Sequence, residues 1–340
     1  MIVTVTANPA IDRLLTLDEP LVRGVVGRTG APVDQPGGKG VNVARVIAAA
    51  GHDVVAVFPA PAHDSFVTAV EATGLAHVAV PTRSRVRVNL TLAERDGTTT
   101  KLNAPGAELS ADELDRLTAA IVESAAGAAW VVLSGSLPPG VPDDWYAVLT
   151  RTLRAGGAQV AVDASGAPLL ATLGAASAAP DLVKPNAHEV VELVGGDADA
   201  IEADAELAAE TAQRVRRDFG PAAVLLTLGA SGAVLATADG SWFAASPPIV
   251  PVSTVGAGDS SLAGYLLAAV DGLDAPGRLE VAVRHGSAAA ALAGSTPPTP
   301  ADVAALAAVE ARPLSSPPLD SSATSSRHTP KDAHVITHHG

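Results

Sequence analysis

Cysteine is absent from this sequence, which removes disulfides, thiolate catalysis and zinc–cysteine sites together and fits a reducing compartment. Aromatic residues make up only 3% of the 340 positions. A core must therefore be assembled from Ala, Val and Leu, with helices and sheet packed closely at the backbone. Positive charge is scarce as well: 22 Lys and Arg stand against 36 Asp and Glu, for a formal net charge of -14. Nucleic-acid binding depends on a broad basic surface that such a chain lacks, whereas a small phosphorylated ligand needs only a few cations focused in a cleft. No apolar run approaches the ~20 residues that cross a bilayer. The opening MIVTVTANPAID has neither a basic leader nor a long apolar core and meets Asp12 early. The expectation is a soluble, cytoplasmic chain with no nucleic-acid and no membrane partner.

What is present is apolar material in quantity, 48% hydrophobic against 17% charged, enough for one large α/β domain with an insertion or for two ordinary domains. Residues 2–6 alternate as a buried strand that stops at Asn8-Pro9, leaving Asp12 just past a strand end. The spacing of apolar residues predicts helices near 41–50, 64–73, 111–124, 143–155, 187–194, 202–217 and 257–270. Between them it predicts strands at 54–58, 129–134, 159–162, 181–183 and 223–228. Such alternation implies a mainly parallel sheet flanked by helices on both faces, with ligands gathered at the carboxyl ends of its strands. Two stretches break the rhythm. Residues 13–33 are short β-like pieces cut by Pro20, Gly24, Gly27 and Gly30, and 86–102 are two alternating runs around the Asp96-Gly97 turn, so both read as a small β excursion. From about residue 310 the chain turns to Ser, Pro, Thr and His, and 311–340 reads as a disordered tail.

Two glycine-rich segments carry the chemistry. In Ser253-Thr254-Val255-Gly256-Ala257-Gly258-Asp259-Ser260 the glycines open a helix, so the backbone can approach a ligand and the first helical N–H groups form an anion site. Asp259 would repel an anion there unless it accepts a proton from an attacking hydroxyl as a phosphoryl group arrives. Read alone, it is equally an ordinary acidic residue in a first helical turn. In Pro36-Gly37-Gly38-Lys39-Gly40-Val41-Asn42 the Lys is followed by Gly40 rather than Ser or Thr, so the segment is not a Walker A loop. It suits a sugar and its phosphate, with Asn42 bonding to hydroxyls, or else a tight turn with a surface lysine.

In this order the two segments resemble the signatures of the PfkB, or ribokinase-like, carbohydrate kinases. Asn8–Asp12, Leu133–Gly140, Val183–Glu189 and Thr227–Gly232 resemble further elements of that family, and the likeness spans roughly residues 2–295. The resemblance implies a ribokinase-like α/β fold over a single kinase domain, residues 1–310, with a small β-sheet lid formed by about 13–35 and 84–104. It implies ATP and Mg2+ as cofactors and Asp259 as general base, with Gly256, Ala257 and Gly258 framing an anion hole. Asp12, Gly38, Lys39, Asn42, Arg87 and Ser136 would hold the sugar, Lys39 and Arg87 clamping its phosphate. Lys184, Asn186, Glu189, Thr227, Gly229 and Gly232 would meet the nucleotide, and Glu189 would reach the metal through water.

Lys39 points to the phosphosugar branch, since a second cation suits a substrate that already carries phosphate. Fructose 1-phosphate is the first expectation, with tagatose 6-phosphate and fructose 6-phosphate as alternatives. Val86 stands where the branch usually has Thr, and Thr227 where Ser is common, a change that keeps the hydroxyl. Exposed lid edges and the family resemblance together imply a homodimer through the lid. A non-catalytic sugar-phosphate sensor on the same scaffold is the reading from another class; a Rossmann dehydrogenase would want Gly-x-Gly-x-x-Gly where Asn8-Pro9 stands.

Overall fold

The structure, a computed structural model, describes residues 1–314. Ten strands form one sheet, in the order Ala311–Leu314, Gly240–Ala245, Gly232–Thr237, Ala223–Thr227, Leu182–Val183, Gln159–Asp163, Trp130–Ser134, Ile2–Thr6, Val54–Pro59 and His77–Val80. The seven from Ala223–Thr227 to His77–Val80 run parallel, and the other three add an antiparallel edge. This is the ribokinase-like α/β architecture. The central strands are buried on both faces, and the period of two sorts their side chains. Val3, Val5, Val131, Leu133, Val160 and Val162 enter one core, while Ile2, Trp130, Val132 and Ala161 enter the other.

With so few aromatics, close backbone approach replaces large side chains. Helix Ala257–Val270 is buried over Asp259–Ala268, and it lies so tightly on helix Ala275–Ala290 that a Cβ on Gly264 would come within 2.7 Å of the Val281 carbonyl. Ser261 Oγ donates across the same seam to the Ala282 carbonyl at 3.0 Å.

A second sheet of four strands, Val33–Gly37, Ala10–Thr16, Arg87–Ala93 and Thr99–Leu102, stands apart from the first. Its outer pairs are antiparallel and its central pair parallel. Asp12 therefore lies inside a strand, opposite Gln35 on one side and Asn89 on the other, not in a loop past a strand end. Asn8-Pro9 is only the short link by which the chain steps from one sheet to the other. Regular structure also runs past residue 310, because Ala311–Leu314 pairs with Ser241–Ala244; the rest of the expected tail, 315–340, lies outside the described residues. Among the described residues no helix is long and apolar enough to cross a membrane.

Candidate active site

The carboxyl ends of Ile2–Thr6, Trp130–Ser134, Gln159–Asp163, Leu182–Val183 and Ala223–Thr227 come out along one edge of the main sheet. Two helices start against that edge. Helix Ala257–Val270 begins after Gly256, whose φ of 78° is the left-handed conformation glycine adopts freely, and its cap makes no side-chain hydrogen bond. The first N–H groups of such a helix lack intrahelical partners. Asp259, 7% exposed, accepts a 2.8 Å hydrogen bond from Asn42 Nδ2. Burial pushes its carboxyl up to about 6, and the charge of Asp163 pushes the same way, while Lys39, the Asn42 bond and Lys184 oppose.

Helix Lys39–Ala49 begins after Gly38, at φ 105°. A Cβ on Gly40 would run into the Val5 carbonyl and the Thr6 hydroxyl, so the helix can sit on the end of the first strand only with glycine there. A cation at a helix N-terminus is disfavoured by the dipole, and Lys39 needs compensation. It donates to Asp163 Oδ1 at 2.8 Å and lies 3.9 Å from Glu189 Oε1. Burial works against its charge, but those two carboxylates outweigh it and hold the ammonium above its ordinary pKa. Lys184 Nζ sits 3.2 Å from the other oxygen of Asp163, and 3.3 Å from where a Cβ of Gly258 would stand. Asp163, fully enclosed, would be driven up by burial, yet Lys184 and Lys39 hold it below the usual carboxylate range. One continuous set of contacts thus runs Asn42–Asp259 and Lys39–Asp163–Lys184–Gly258.

Asn186 and Glu189 form a reciprocal cap on helix Ala187–Val194: Glu189 Oε2 accepts from the Asn186 N–H at 2.9 Å, and Asn186 Oδ1 from the Glu189 N–H at 2.8 Å. The remaining Glu189 oxygen, Oε1, is the one turned toward Lys39. Thr227 ends its strand beside Asn186, with its hydroxyl 3.5 Å from the Pro185 carbonyl. Gly229 opens the tight turn Gly229–Ser231 at φ 54°. Gly232 has a structural reason of its own, since at φ 125° a Cβ there would overlap the Ala244 carbonyl.

On the small sheet, Gln35, Asp12 and Asn89 stand abreast in register. Asp12 Oδ1 accepts from Asn89 Nδ2 at 3.0 Å, and its carboxylate packs so closely over Gly37 that no Cβ would fit there. Burial raises the Asp12 pKa against the pull of Asn89, Arg87 and Arg45. Arg87 donates to the Ala104 carbonyl at 2.6 Å and the Asn8 carbonyl at 3.1 Å, leaving Nε buried and unpartnered. Asn8 Nδ2 in turn donates to the Pro105 carbonyl at 2.9 Å and to Ser136 Oγ at 3.3 Å. The structure therefore brings Asp259, Asn42, Lys39, Lys184 and Glu189 into one group, and Asp12, Arg87 and Ser136 into another beside it. Among the described residues Lys39 and Arg87 share no hydrogen-bond or ion-pair partner.

Asp163, Asn89 and Arg45 belong to these groups and were not among the expected site residues; Asn8 lay in a family-like segment but was given no role of its own. Asp163 had a signal, a carboxylate closing the apolar run Gln159–Asp163 at the ligand edge of the sheet. Asn89 sits two residues beyond Arg87 and so on the same face of its strand. Arg45 donates to the Ser295 carbonyl at 3.2 Å and to the Pro36 carbonyl at 3.4 Å, and nothing in its local sequence marked it as a site residue.

The model of the pfkB family of carbohydrate kinases matches residues 5–302. The 1-phosphofructokinase of Rhodobacter capsulatus is 36% identical over 311 residues, covering 90% of this chain and 95% of that protein. ATP-dependent 6-phosphofructokinase isozyme 2 of Mycobacterium tuberculosis is 33% identical, covering 88% of this chain and 86% of its own. Among solved structures, phosphofructokinase-2 from Escherichia coli in complex with substrates and products superposes with a TM-score of 0.82 at 30% identity, over 89% of this chain and 97% of that one.

Proposed function

Because this chain belongs to the pfkB family of carbohydrate kinases, and so is a phosphotransferase that uses ATP, we propose that its acceptor is fructose 1-phosphate and that Asp259 takes the proton from the C6 hydroxyl. The observation that carries the base assignment is the Asp259 carboxylate itself, buried, bonded to Asn42 and pushed up to about 6 at the start of a glycine-opened helix. A base with a pKa just below the working pH is ionised yet still basic enough to matter. As the C6 oxygen bonds to the γ-phosphorus and the bond to ADP breaks, the hydroxyl proton passes to Asp259 and the product is the 1,6-bisphosphate.

Charge develops on the transferred group, and the amides of Ala257, Gly258 and Asp259 with Lys184 surround its place. Lys39 is assigned to the same point, because its ammonium is tied to Asp163 and through it to Lys184 beside Gly258. Arg87 is left as the cation for the phosphate the sugar already bears, with Asp12 and Asn42 accepting from and donating to sugar hydroxyls and Ser136 at the rim. Asn186, Thr227, Gly229 and Gly232 shape the nucleotide side. Mg2+ bound with ATP would neutralise charge there, and Glu189 Oε1, the oxygen its cap does not use, would help to hold it through water. Among the described residues no cluster of His, Asp and Glu holds a metal directly.

Residues 1–314 are read as one kinase domain with the four-stranded sheet as its lid. Leu21, Val22, Val25, Val26, Val33 and Leu102 are large, apolar and exposed on or beside that sheet, which supports pairing of two copies through it. Assaying ATP with fructose 1-phosphate, fructose 6-phosphate, tagatose 6-phosphate and ribose in parallel tests the substrate. The highest kcat/KM is expected with fructose 1-phosphate; preference for either 6-phosphate moves the chain to another acceptor in the branch, and preference for ribose removes the phosphate-reading role of Arg87.

A further inference from the structure

The chain crosses between its two sheets at residues 7–9, at Gly38, over 81–86 and over 103–110. The crossing 81–86 leads from the edge strand His77–Val80 straight into Arg87, the first residue of Arg87–Ala93. Two of its backbone amides are held by carboxylates from the body of the protein. The Arg83 N–H donates to Glu113 Oε1 at 2.9 Å, and the Val86 N–H to Asp64 Oδ2 at 3.2 Å.

Each carboxylate also caps a helix with its other oxygen. Asp64 Oδ1 accepts from the Phe66 N–H at 2.9 Å at the start of Ser65–Ala72. Glu113 Oε2 accepts from the Ser110 N–H at 2.9 Å and the Ser110 hydroxyl at 2.8 Å at the start of Ala111–Ser124. The two residues are 6% and 5% exposed, and acidic side chains are rarely so buried; Arg116 favours the charged form of Glu113. Capping does not require this: Ser, Thr or Asn serves at the first position and Gln at the second. The property that those residues lack is a second acceptor oxygen, and in both places that oxygen holds the crossing.

We infer that Asp64 and Glu113 form a paired clamp, positioning residues that fix the 81–86 crossing and through it the place of the Arg87 guanidinium against the resident phosphate of the substrate. Arg87 itself is stretched between the Ala104 and Asn8 carbonyls, so it is braced on the crossings at 103–110 and 7–9. The clamp fixes the third side of that frame, the backbone from which Arg87 springs. This rests on the reading of Arg87 as the cation for the sugar's phosphate.

Three single variants and one double variant test it by steady-state kinetics and thermal unfolding. Asp64→Ser keeps an oxygen for the Phe66 amide and loses the reach to Val86; Glu113→Gln keeps the Ser110 cap and turns an amide NH2 toward the Arg83 N–H. Each is expected to raise KM for fructose 1-phosphate by about five- to tenfold, leaving kcat and KM for ATP within about twofold. Arg87→Ala, the reference, is expected to raise the same KM by roughly ten- to a hundredfold, and Asp64→Ser on that background to add little. If Arg87→Ala raises KM while both clamp variants match the parent, the clamp does not position Arg87. Equal rises in both KM values, or a full further rise on the Arg87→Ala background, would mark general damage and also overturn it. An unchanged KM in Arg87→Ala instead removes the reading of Arg87 on which the clamp depends. Should Asp64→Ser fail to fold, Glu113→Gln alone decides.

Discussion

Two helices open on glycine at the ligand edge of the main sheet, one led by the cation Lys39 and the other carrying the carboxylate Asp259 in its first turn. By the helix dipole alone Asp259 is well placed and Lys39 badly placed. The surroundings reverse that ranking. Lys39 has two carboxylates that hold it charged, whereas Asp259 has one neutral donor, Asn42, and a second buried carboxylate, Asp163, that works against it. The helix that carries the carboxylate thus has it raised to about 6, and the helix led by a lysine has its ammonium held above the ordinary lysine value. A base near its working pKa facing fixed cations is the arrangement phosphoryl transfer to a hydroxyl asks for.

The sharpest way to break this comparison is at Asp259. Asp259→Asn retains an oxygen for Asn42 and loses the basicity, so kcat is expected to fall by roughly 10²–10⁴-fold with KM for ATP little changed. Retention of more than about a tenth of the parent kcat removes Asp259 from the base role. Next in size is Asp163→Asn, which leaves Lys184 and Lys39 without their shared buried counter-charge; a loss of about 3–5 kcal/mol in denaturant unfolding is expected, and a loss under about 1 kcal/mol would show the ammonium groups to be solvated in place.

Lys39→Ala sharpens the comparison rather than breaking it. If the lysine serves the transferred group, kcat falls by about ten- to a hundredfold while KM for fructose 1-phosphate moves little. The reverse pattern, KM up and kcat unchanged, would return Lys39 to the resident phosphate beside Arg87. The last effects are those of pH. With the free-enzyme carboxyl at about 6, log kcat/KM is expected to fall with unit slope as pH drops below that value. Asp259 is raised above its unfolded 3.8, so it favours folding most at low pH and loses that contribution as pH climbs through about 6. Asp259→Asn is therefore expected to be more stable than the parent at pH 8, by at most about 3 kcal/mol, with the gap closing toward pH 4. A gap that does not vary with pH would mean the carboxylate is not strained by burial.

Local pattern made the parallel sheet legible, because buried strands and their helices announce themselves through apolar period alone. Helices 111–124, 187–194 and 257–270 begin and end where the spacing places them. The small sheet was legible only as an excursion. Asp12 read as a loop residue because Asn8-Pro9 looks like a terminus, whereas a change of sheet needs no more than that link. Asp163 stayed hidden for a related reason: what makes it part of the site is a partner 124 residues away, Lys39.

By itself the sequence settled the parts, two glycine-opened helix starts with a carboxylate in one and a cation in the other, since glycine, charge and period act within a few residues. Tertiary structure alone decided which charges face one another: that Lys39 answers to Asp163 and Glu189 and not to Arg87, and that Asp259 is raised while Asp163 is lowered. Burial and Coulomb forces act through space, and strands far apart in the chain must lie side by side before either has a value.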